Sequence, residues 1–472
     1  MQNKLLWIKE HIMDILIWGL IVFFSLLYVS LLFNYNIWTD EAFTLQLLHG
    51  NLKEIIEGTA RDVHPPLYYI LCKPFFDLTN GSLWVQKFIT IIPQVGTYVL
   101  VATVFHKKFG DIAAFMALIF FTCIPCSMEF SVQVRMYSLA LFFVTLCGLF
   151  AYEAYMDNTK RSWIWLVVGA LGAAYTHYFS FVSIIVIVGF LFLAVLFTKR
   201  ALFKNWLMAA VCMIVGYLPW IPSFIDQVTR VREDYWIEEI TMETIWGYFT
   251  WTFDLTLVPG VVYGILLLLV VAAVVTIARV IRHGGNEDVT ALFAMLVPTV
   301  TAVLGVVISL TKSPIYRDQY VFPALMLLAL SFGLAVRKVN WKLLIPICAF
   351  LLFVGAVQYK ECFRQEYRST YVPQTMEFFE DNLEPDDVIV YNWEKFGFIY
   401  EHYFPTEQLV YLGDFDFSQD FNNAWFLNSQ WFEQVDPKEL QENGLVMDII
   451  GRYGIEHNEF DLYMIYRNEY IE

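Results

Sequence analysis

Two acidic clusters lie close together near the start of the chain. The first is Asp40-Glu41, and the second pairs Asp62 with His64 about twenty residues later. Both follow a long apolar segment, and carboxylates at a membrane boundary are costly unless they are solvated or have a function. Because a positioned carboxylate can accept a proton from a substrate hydroxyl, these residue types favour acid–base chemistry.

A purely structural role also fits the first cluster. Thr39 or Asp40 is a favoured residue at a helix N-cap, and Glu41 in the first turn would interact favourably with the helix dipole. The residues that follow, 42–56, alternate apolar and polar side chains with the pattern of a helix lying in the membrane interface. Taken alone, the first cluster therefore predicts a capped helix.

The second cluster lies in a turn that cannot be helical. Pro65 and Pro66 follow His64 directly, and a residue before proline avoids the α region. Either proline could open a helix over 67–77. A charged loop is the structural alternative, but it does not explain why both polar clusters share one loop among aromatic neighbours.

The composition places these clusters on a membrane protein. Hydrophobic residues make up 58% of the 472 residues and charged residues only 16%, against about a quarter charged in soluble domains. This balance argues against a soluble enzyme, a nucleic-acid binder and a disulfide-stapled secreted domain. Runs of spanning length are found near residues 12–33, 84–105, 112–128, 134–154, 163–176, 178–197, 204–222, 257–280, 289–310, 317–336 and 340–359.

Positive residues orient these eleven predicted spans. Lys and Arg accumulate on the cytoplasmic side, and Lys4 with Lys9 places the N-terminus there. The later basic clusters fall on the same side only if 163–176 and 178–197 are two separate helices. The acidic clusters and the C-terminus then lie outside the cytoplasm.

The charge distribution divides the chain into two predicted domains. Residues 360–472 carry 24 acidic and 7 basic residues, a net charge of −17, whereas the rest is close to neutral. We therefore predict a transmembrane domain over 1–359, including a first outer loop over 34–83, and a small extracytoplasmic α/β domain over 360–472. Its predicted strands are 387–391 and 460–466, and its predicted helices are 372–382 and 437–444.

The acidic motifs resemble those of a known family. Asp-Glu after the first span, followed by Asp62-Val-His-Pro-Pro-Leu67, is similar to the protein O-mannosyltransferase superfamily, whose bacterial branch includes the lipid A aminoarabinose transferases. Segments 133–137 and 316–323 match more loosely. The resemblance implies the GT-C fold and transfer of a sugar from a polyprenyl-phosphate donor to an acceptor hydroxyl at the outer face, with inversion.

The resemblance also implies roles for individual residues. Asp40 matches the catalytic aspartate that takes the acceptor proton, and Asp62 matches the second essential acid. Glu41 is expected to support Asp40 or to cap the helix that follows. The leaving phosphate requires positive charge. Candidate donor-phosphate residues are Arg135, Arg317, His64 and Tyr137. Arg suits this role because its planar fork binds phosphate bidentately, although an Arg at a helix end can also simply extend to lipid headgroups.

Cofactor and partners are less defined by the sequence. The aminoarabinose branch binds a metal near its acceptor site, which makes His177 a weak candidate ligand for a divalent metal, but the spacing matches no closed ligand motif. The expected partners are the polyprenyl-phosphate sugar, membrane lipids and an unidentified acceptor, which could be a protein, a glycolipid or a cell-wall polymer. Nucleic acid is not expected.

The sequence leaves two other functions open. A transporter or flippase for a lipid-linked sugar would also handle such a molecule, but the span interiors are almost uncharged and no internal repeat is present. A noncatalytic cell-envelope assembly protein would leave Asp40 and Asp62 without a role.

Overall fold

The computed structural model describes residues 2–32, 37–233, 240–255, 257–367, 371–430, 432–455 and 458–467. The chain forms two compact units, one of residues 1–32 with 51–362 and one of residues 33–50 with 363–472.

Most of the chain is helical. The helices up to the end of the fifth predicted span are α1 (Gln2–Ser30), α2 (Thr39–His49), α3 (Leu52–Arg61), α4 (Leu67–Leu78), α5 (Leu83–Leu100), α6 (His106–Phe109), α7 (Asp111–Cys123), α8 (Pro125–Val132), α9 (Tyr137–Asp157) and α10 (Lys160–Ala174). The later helices are α11 (Tyr178–Thr198), α12 (Phe203–Tyr217), α13 (Ile221–Glu233), α14 (Met242–Trp251), α15 (Val261–His283), α16 (Asn286–Thr311), α17 (Leu325–Val336), α18 (Trp341–Tyr367), α19 (Tyr371–Asn382), α20 (Gly397–Tyr403) and α21 (Pro437–Glu442).

A helix is found at each of the eleven predicted spans, which confirms the polytopic helical fold. Within the described residues, nine helical stretches are long and apolar enough to cross a membrane, some of them made of consecutive helices, such as Asp318–Val336, which ends in α17. The bent pair of α7 and α8 makes a tenth. The eleventh, α10, has 15 residues. Residues 175–177 separate α10 from α11, so the prediction of two helices over 163–197 is confirmed.

The bend between α7 and α8 has a local cause. The two helices meet at 72°, and Ile124 between them is extended, with φ −73° and ψ 143°. Pro125 follows Ile124 and excludes it from the α region. The straight helix predicted over 112–128 is therefore broken, and α8 leads into the turn that carries Arg135.

Helix α17 lies in the centre of the transmembrane unit. All of its residues except the partly buried Leu328 are buried, and its Phe332 ring stacks on Phe120 of α7 at 4.6 Å. At Gly333 a Cβ atom would lie 2.2 Å from the carbonyl oxygen of Ala113. Only glycine allows this approach, which is the small-residue packing typical of membrane helices.

The second unit contains a five-stranded mixed sheet in the order β2-β1-β3-β5-β4. The strands are β1 (Val388–Tyr391), β2 (Leu409–Tyr411), β3 (Ala424–Asn428), β4 (Leu445–Ile455) and β5 (Asn458–Arg467). Strand β1 is parallel to β2 and β3, whereas β5 is antiparallel to β3 and β4. This sheet and its flanking helices α19 and α21 form the α/β domain predicted at the C-terminus.

Helix α2 packs against α20 within this second unit. The ring of Phe43 contacts that of Phe398 at 5.7 Å, and Gln46 Nε2 donates a hydrogen bond to Glu401 Oε2. Residues 33–50 therefore group with the C-terminal sheet, whereas the sequence assigns the whole first outer loop to the transmembrane domain. The two units otherwise divide at 362/363, close to the predicted 359/360.

Candidate active site

Asp62 and His64 lie in a turn that joins α3 to α4. Asp62 ends α3, and its backbone N–H donates to Gly58. Its Oδ2 lies 2.7 Å from His64 Nδ1. Burial raises the pKa of the Asp62 carboxyl, but the adjacent His64 and the charge of Arg135 outweigh this effect and hold the pKa below its usual value. Asp62 is therefore an anion at neutral pH.

Helix α13 fixes the position of this turn. The Arg230 guanidinium donates to the carbonyls of Ala60 and Arg61, and Gln227 Nε2 donates to Thr59 at 2.7 Å. These carbonyls are at the C-terminal end of α3, where helix carbonyls lack intrahelical donors. The cap from α13 thus holds the last turn of α3 immediately before Asp62.

Arg135 is the largest side chain that is fully buried in the chain, with 2% exposure. Its NH2 lies 3.5 Å from His64 Nε2, and its NH1 lies 3.4 Å from the Tyr69 hydroxyl. Since arginine can only donate, His64 Nε2 accepts and His64 Nδ1–H donates to Asp62. His64 therefore connects the cation of Arg135 to the anion of Asp62.

His177 lies beside this network between α10 and α11. Its ring centroid is 6.0 Å from that of His64 and 5.7 Å from that of Tyr137, and Nδ1 accepts the Phe179 N–H at 3.2 Å. Burial, with His64 and Arg135 nearby, holds the pKa of His177 well below its usual value. His177 is thus neutral, with its proton on Nε2. We call Asp62, His64, Tyr69, Arg135, Tyr137 and His177 the Arg135 cluster.

Arg317 lies in a segment that borders the Arg135 cluster. The segment reaches it through Tyr320, whose ring centroid is 5.1 Å from that of His177. Arg317 Nε lies 3.9 Å from Asp318 Oδ1, and about a third of its side chain is exposed. The structure therefore brings together five of the predicted residues, Asp62, His64, Arg135, Tyr137 and His177, with Arg317 on the adjoining segment.

Asp40 and Glu41 occupy the first turn of α2 in the second unit. Glu41 is buried, and its Oε2 accepts the Trp38 N–H at 2.9 Å, which is the bond of a capping box. Asp40 is half-buried, and its carbonyl accepts the Thr44 hydroxyl at 2.9 Å. Glu41 thus supports the helix that carries Asp40.

The sequence reading missed two residues of note, Tyr69 and Lys87. Tyr69 is fully buried and contacts Arg135. Lys87 is 1% exposed on α5, three residues before Thr90, whose hydroxyl bonds the Tyr68 hydroxyl at 2.9 Å. A lysine inside the predicted span 84–105 was the available signal, because a charge inside a span commonly marks a functional site.

Metal binding at His177 conflicts with its local geometry. Nδ1 accepts a backbone N–H, so the other ring nitrogen carries the proton and offers no lone pair to a metal. Across the described part of the chain, no three His, Cys, Asp or Glu side chains lie close enough to hold a metal ion.

The fold is similar to that of two solved structures of ArnT. ArnT from Cupriavidus metallidurans in the apo state superposes with a TM-score of 0.62 at 11% identity, covering 95% of this chain and 97% of that one. ArnT from the same organism bound to undecaprenyl phosphate gives a TM-score of 0.54 at 12% identity, covering 94% and 98%. No sequence among the curated proteins matches.

Residues 63–222 also match the family model of dolichyl-phosphate-mannose-protein mannosyltransferases. This stretch contains His64, Arg135 and His177. The family match over residues 63–222 and the ArnT-like fold agree with the resemblance of the sequence to the superfamily of the protein mannosyltransferases. The matched stretch contains the His64-Pro-Pro-Leu67 part of the second acidic motif and begins after Asp40, Glu41 and Asp62.

Proposed function

We propose that this protein transfers a sugar from a polyprenyl-phosphate donor to an acceptor hydroxyl at the outer face of the cell membrane. The observation that carries the proposal is the buried guanidinium of Arg135, which hydrogen bonds to His64 and Tyr69 just before the start of α9. A guanidinium is well suited to a phosphate monoester, because its planar fork can donate two parallel hydrogen bonds to the phosphate oxygens. ArnT bound to undecaprenyl phosphate supports this donor class.

In this proposal the Arg135 cluster stabilises the leaving group. As the bond between the anomeric carbon and the phosphate oxygen breaks, negative charge grows on the phosphate. The Arg135 guanidinium would take this charge bidentately, with Arg317 and Lys87 as further cations and the Tyr137 hydroxyl as a neutral donor. Asp62 is a poor base because its pKa is lowered, so its role is to orient His64 and through it Arg135.

Asp40 is the proposed general base. It would take the proton of the acceptor hydroxyl as that oxygen bonds to the anomeric carbon from the side opposite the departing phosphate. One displacement of this kind inverts the anomeric configuration and needs no covalent enzyme intermediate. Glu41 would keep the first turn of α2 in place through its bond to Trp38. The proposal does not specify the acceptor or whether the sugar is a hexose or a pentose.

The test uses purified protein with a panel of polyprenyl-phosphate sugars and acceptors, with products followed by mass spectrometry. Arg135→Lys keeps the charge but loses the planar fork, so we expect kcat to fall about tenfold to a hundredfold. Arg161→Lys is the matched control, since Arg161 lies over the Phe150 ring at the start of α10, at the opposite end of that helix from His177. Equal activity of both variants would remove Arg135 from the mechanism.

A further inference from the structure

An apolar groove of about 430 Å³ lies on the transmembrane unit between α9, α11 and α16. Its lining includes Tyr152, Ile187, Ala194 and Phe293, and it shares no residue with the Arg135 cluster. The groove is open toward the lipid, because the lining residue Phe197 is 75% exposed. An apolar chain could therefore enter it from the membrane.

The groove lies far from the Arg135 cluster along the same helices. Helix α11 begins beside His177, and its lining residues run from Ile187 to Thr198. Helix α9 begins at Tyr137 and lines the groove from Gly148 to Met156. At 1.5 Å per residue the lined part of α11 is about 16 Å long, close to half of the ~30 Å hydrocarbon core. The groove therefore fits one leaflet, the one opposite the cluster.

A basic pair, Lys199 and Arg200, lies at the end of the groove farthest from the Arg135 cluster. Lys199 follows the lining residue Thr198, and its Nζ donates to the Tyr155 carbonyl at 2.8 Å while lying 4.2 Å from the Tyr155 ring centroid. Tyr155 itself lines the groove, and the exposed Arg200 comes next. Both cations are at the depth where lipid phosphates lie.

Three acidic side chains at these helix ends have cations other than Lys199 and Arg200 as partners, and Glu153 of α9 adds one further negative charge. Asp157 of α9 bonds to Lys108, and Glu287 and Asp288 of α16 both pair with Arg337 at 2.8 Å. The groove thus combines an apolar channel of one leaflet's depth with a positive end.

We propose that this groove binds one anionic phospholipid, with an acyl chain along α11 and its phosphate at Lys199 and Arg200. The groove ends near the middle of α11 and does not reach the face where the donor phosphate is proposed to bind. A phospholipid of the opposite leaflet therefore fits better than the polyprenyl chain of the donor. The proposal does not depend on the reaction catalysed.

The test is native mass spectrometry of the full-length protein in detergent, stripped of lipid and titrated with phosphatidylglycerol or phosphatidylcholine. We expect wild-type protein to retain one phosphatidylglycerol in preference to phosphatidylcholine. Ala194→Trp fills the groove and should abolish this retention. Lys199→Gln should weaken it about fivefold, because one cation near a lipid phosphate contributes that much.

Two control variants leave the groove intact. Ile185→Trp adds the same ring on the exposed face of α11, and Lys342→Gln removes an exposed lysine elsewhere. Both should retain phosphatidylglycerol as wild type does. If Ala194→Trp fails to fold, the smaller Ala194→Phe takes its place. Equal retention in groove and control variants, equal retention of phosphatidylcholine, or displacement by undecaprenyl phosphate would each overturn the proposal.

Discussion

Asp40 is the residue on which the proposed displacement depends most. Asp40→Asn removes the proton acceptor and keeps the shape of the side chain, so we expect kcat to fall about a hundredfold to ten-thousandfold while expression and folding persist. Glu41→Gln is the matched control, because a glutamine oxygen can still accept the Trp38 N–H and should keep activity within a few-fold. Product mass spectrometry at saturating donor measures both. An active Asp40→Asn enzyme would exclude Asp40 as the base.

His177 makes the stability of the protein depend on pH. Its pKa in the fold lies well below 6.5, so the folded chain binds fewer protons than the unfolded chain once the pH falls below 6.5. Stability is therefore lost as the pH drops through this range, by about 1 kcal/mol between pH 6.5 and 5.5. His177→Asn keeps an acceptor for the Phe179 N–H and does not titrate, so it should reduce the loss of Tm between pH 7.5 and 5.5.

Thermal unfolding followed by intrinsic fluorescence measures this effect at both pH values. The exposed His402→Asn serves as the control and should keep the wild-type dependence. If His177→Asn and wild type lose the same Tm on acidification, His177 does not titrate on unfolding in the way that its burial implies.

At the level of elements, the contact between α2 and α20 determines how firmly the Asp40 helix is held. Phe398→Ala removes the ring that packs on Phe43, and an aromatic pair is worth about 0.5–1.5 kcal/mol. We expect kcat to fall severalfold, with little change in donor KM because α2 carries the proposed base and not the donor phosphate site. Phe398→Leu should restore part of the activity. Unchanged kinetics in Phe398→Ala would show that this packing does not position Asp40.

The hydrogen bond between Gln46 and Glu401 offers a sharper test of the same contact. Gln46→Glu places a second carboxylate beside that of Glu401. Because like charges repel, the contact between α2 and α20 should weaken and kcat should fall. Adding Glu401→Gln restores one amide and one carboxylate with the bond reversed, so the double variant should recover. A double variant as impaired as the single one would mean that the loss arises elsewhere.

Helices could be predicted from the sequence wherever the signal lay within one continuous segment. Eleven apolar runs located eleven helices, since bilayer thickness sets their length. Strands β2, β3 and β4 were not predicted, and β3 is buried throughout and shows no alternation. The bend at Ile124 was hidden in a continuous apolar run. The grouping of α2 with α20 could not be foreseen, because it joins segments some 350 residues apart.

The candidate site was predictable to a similar degree. Asp62, His64 and Arg135 were found because charges near spans are rare. That they form one hydrogen-bonded network could be seen only in the three-dimensional structure. Tyr69 carries no charge, so nothing in its sequence context distinguished it from packing aromatics. Long-range contacts are the common reason for what sequence reading missed.

For the whole molecule, the orientation in the membrane depends on the short helix α10. Its 15 residues span only about 22 Å, less than the ~30 Å hydrocarbon core, although membranes can thin locally around a short helix. It packs closely on α9, where a Cβ at Gly169 would lie 2.7 Å from the Cys147 nitrogen. If α10 crosses, eleven crossings place the termini on opposite sides, and the positions of the basic residues predict a cytoplasmic N-terminus.

Labelling of single introduced cysteines with a membrane-impermeant maleimide tests this orientation. Of the natural cysteines, Cys212 is exposed on a spanning helix and so faces lipid, out of reach of the reagent. Gln419→Cys in the second unit should react in intact cells, whereas Lys160→Cys at the start of α10 should react only after permeabilisation. Both sites are exposed, so access is limited only by the membrane. Reaction of both only after permeabilisation would mean that α10 does not cross between them as proposed, and the reverse pattern would invert the orientation and place the C-terminal sheet in the cytoplasm.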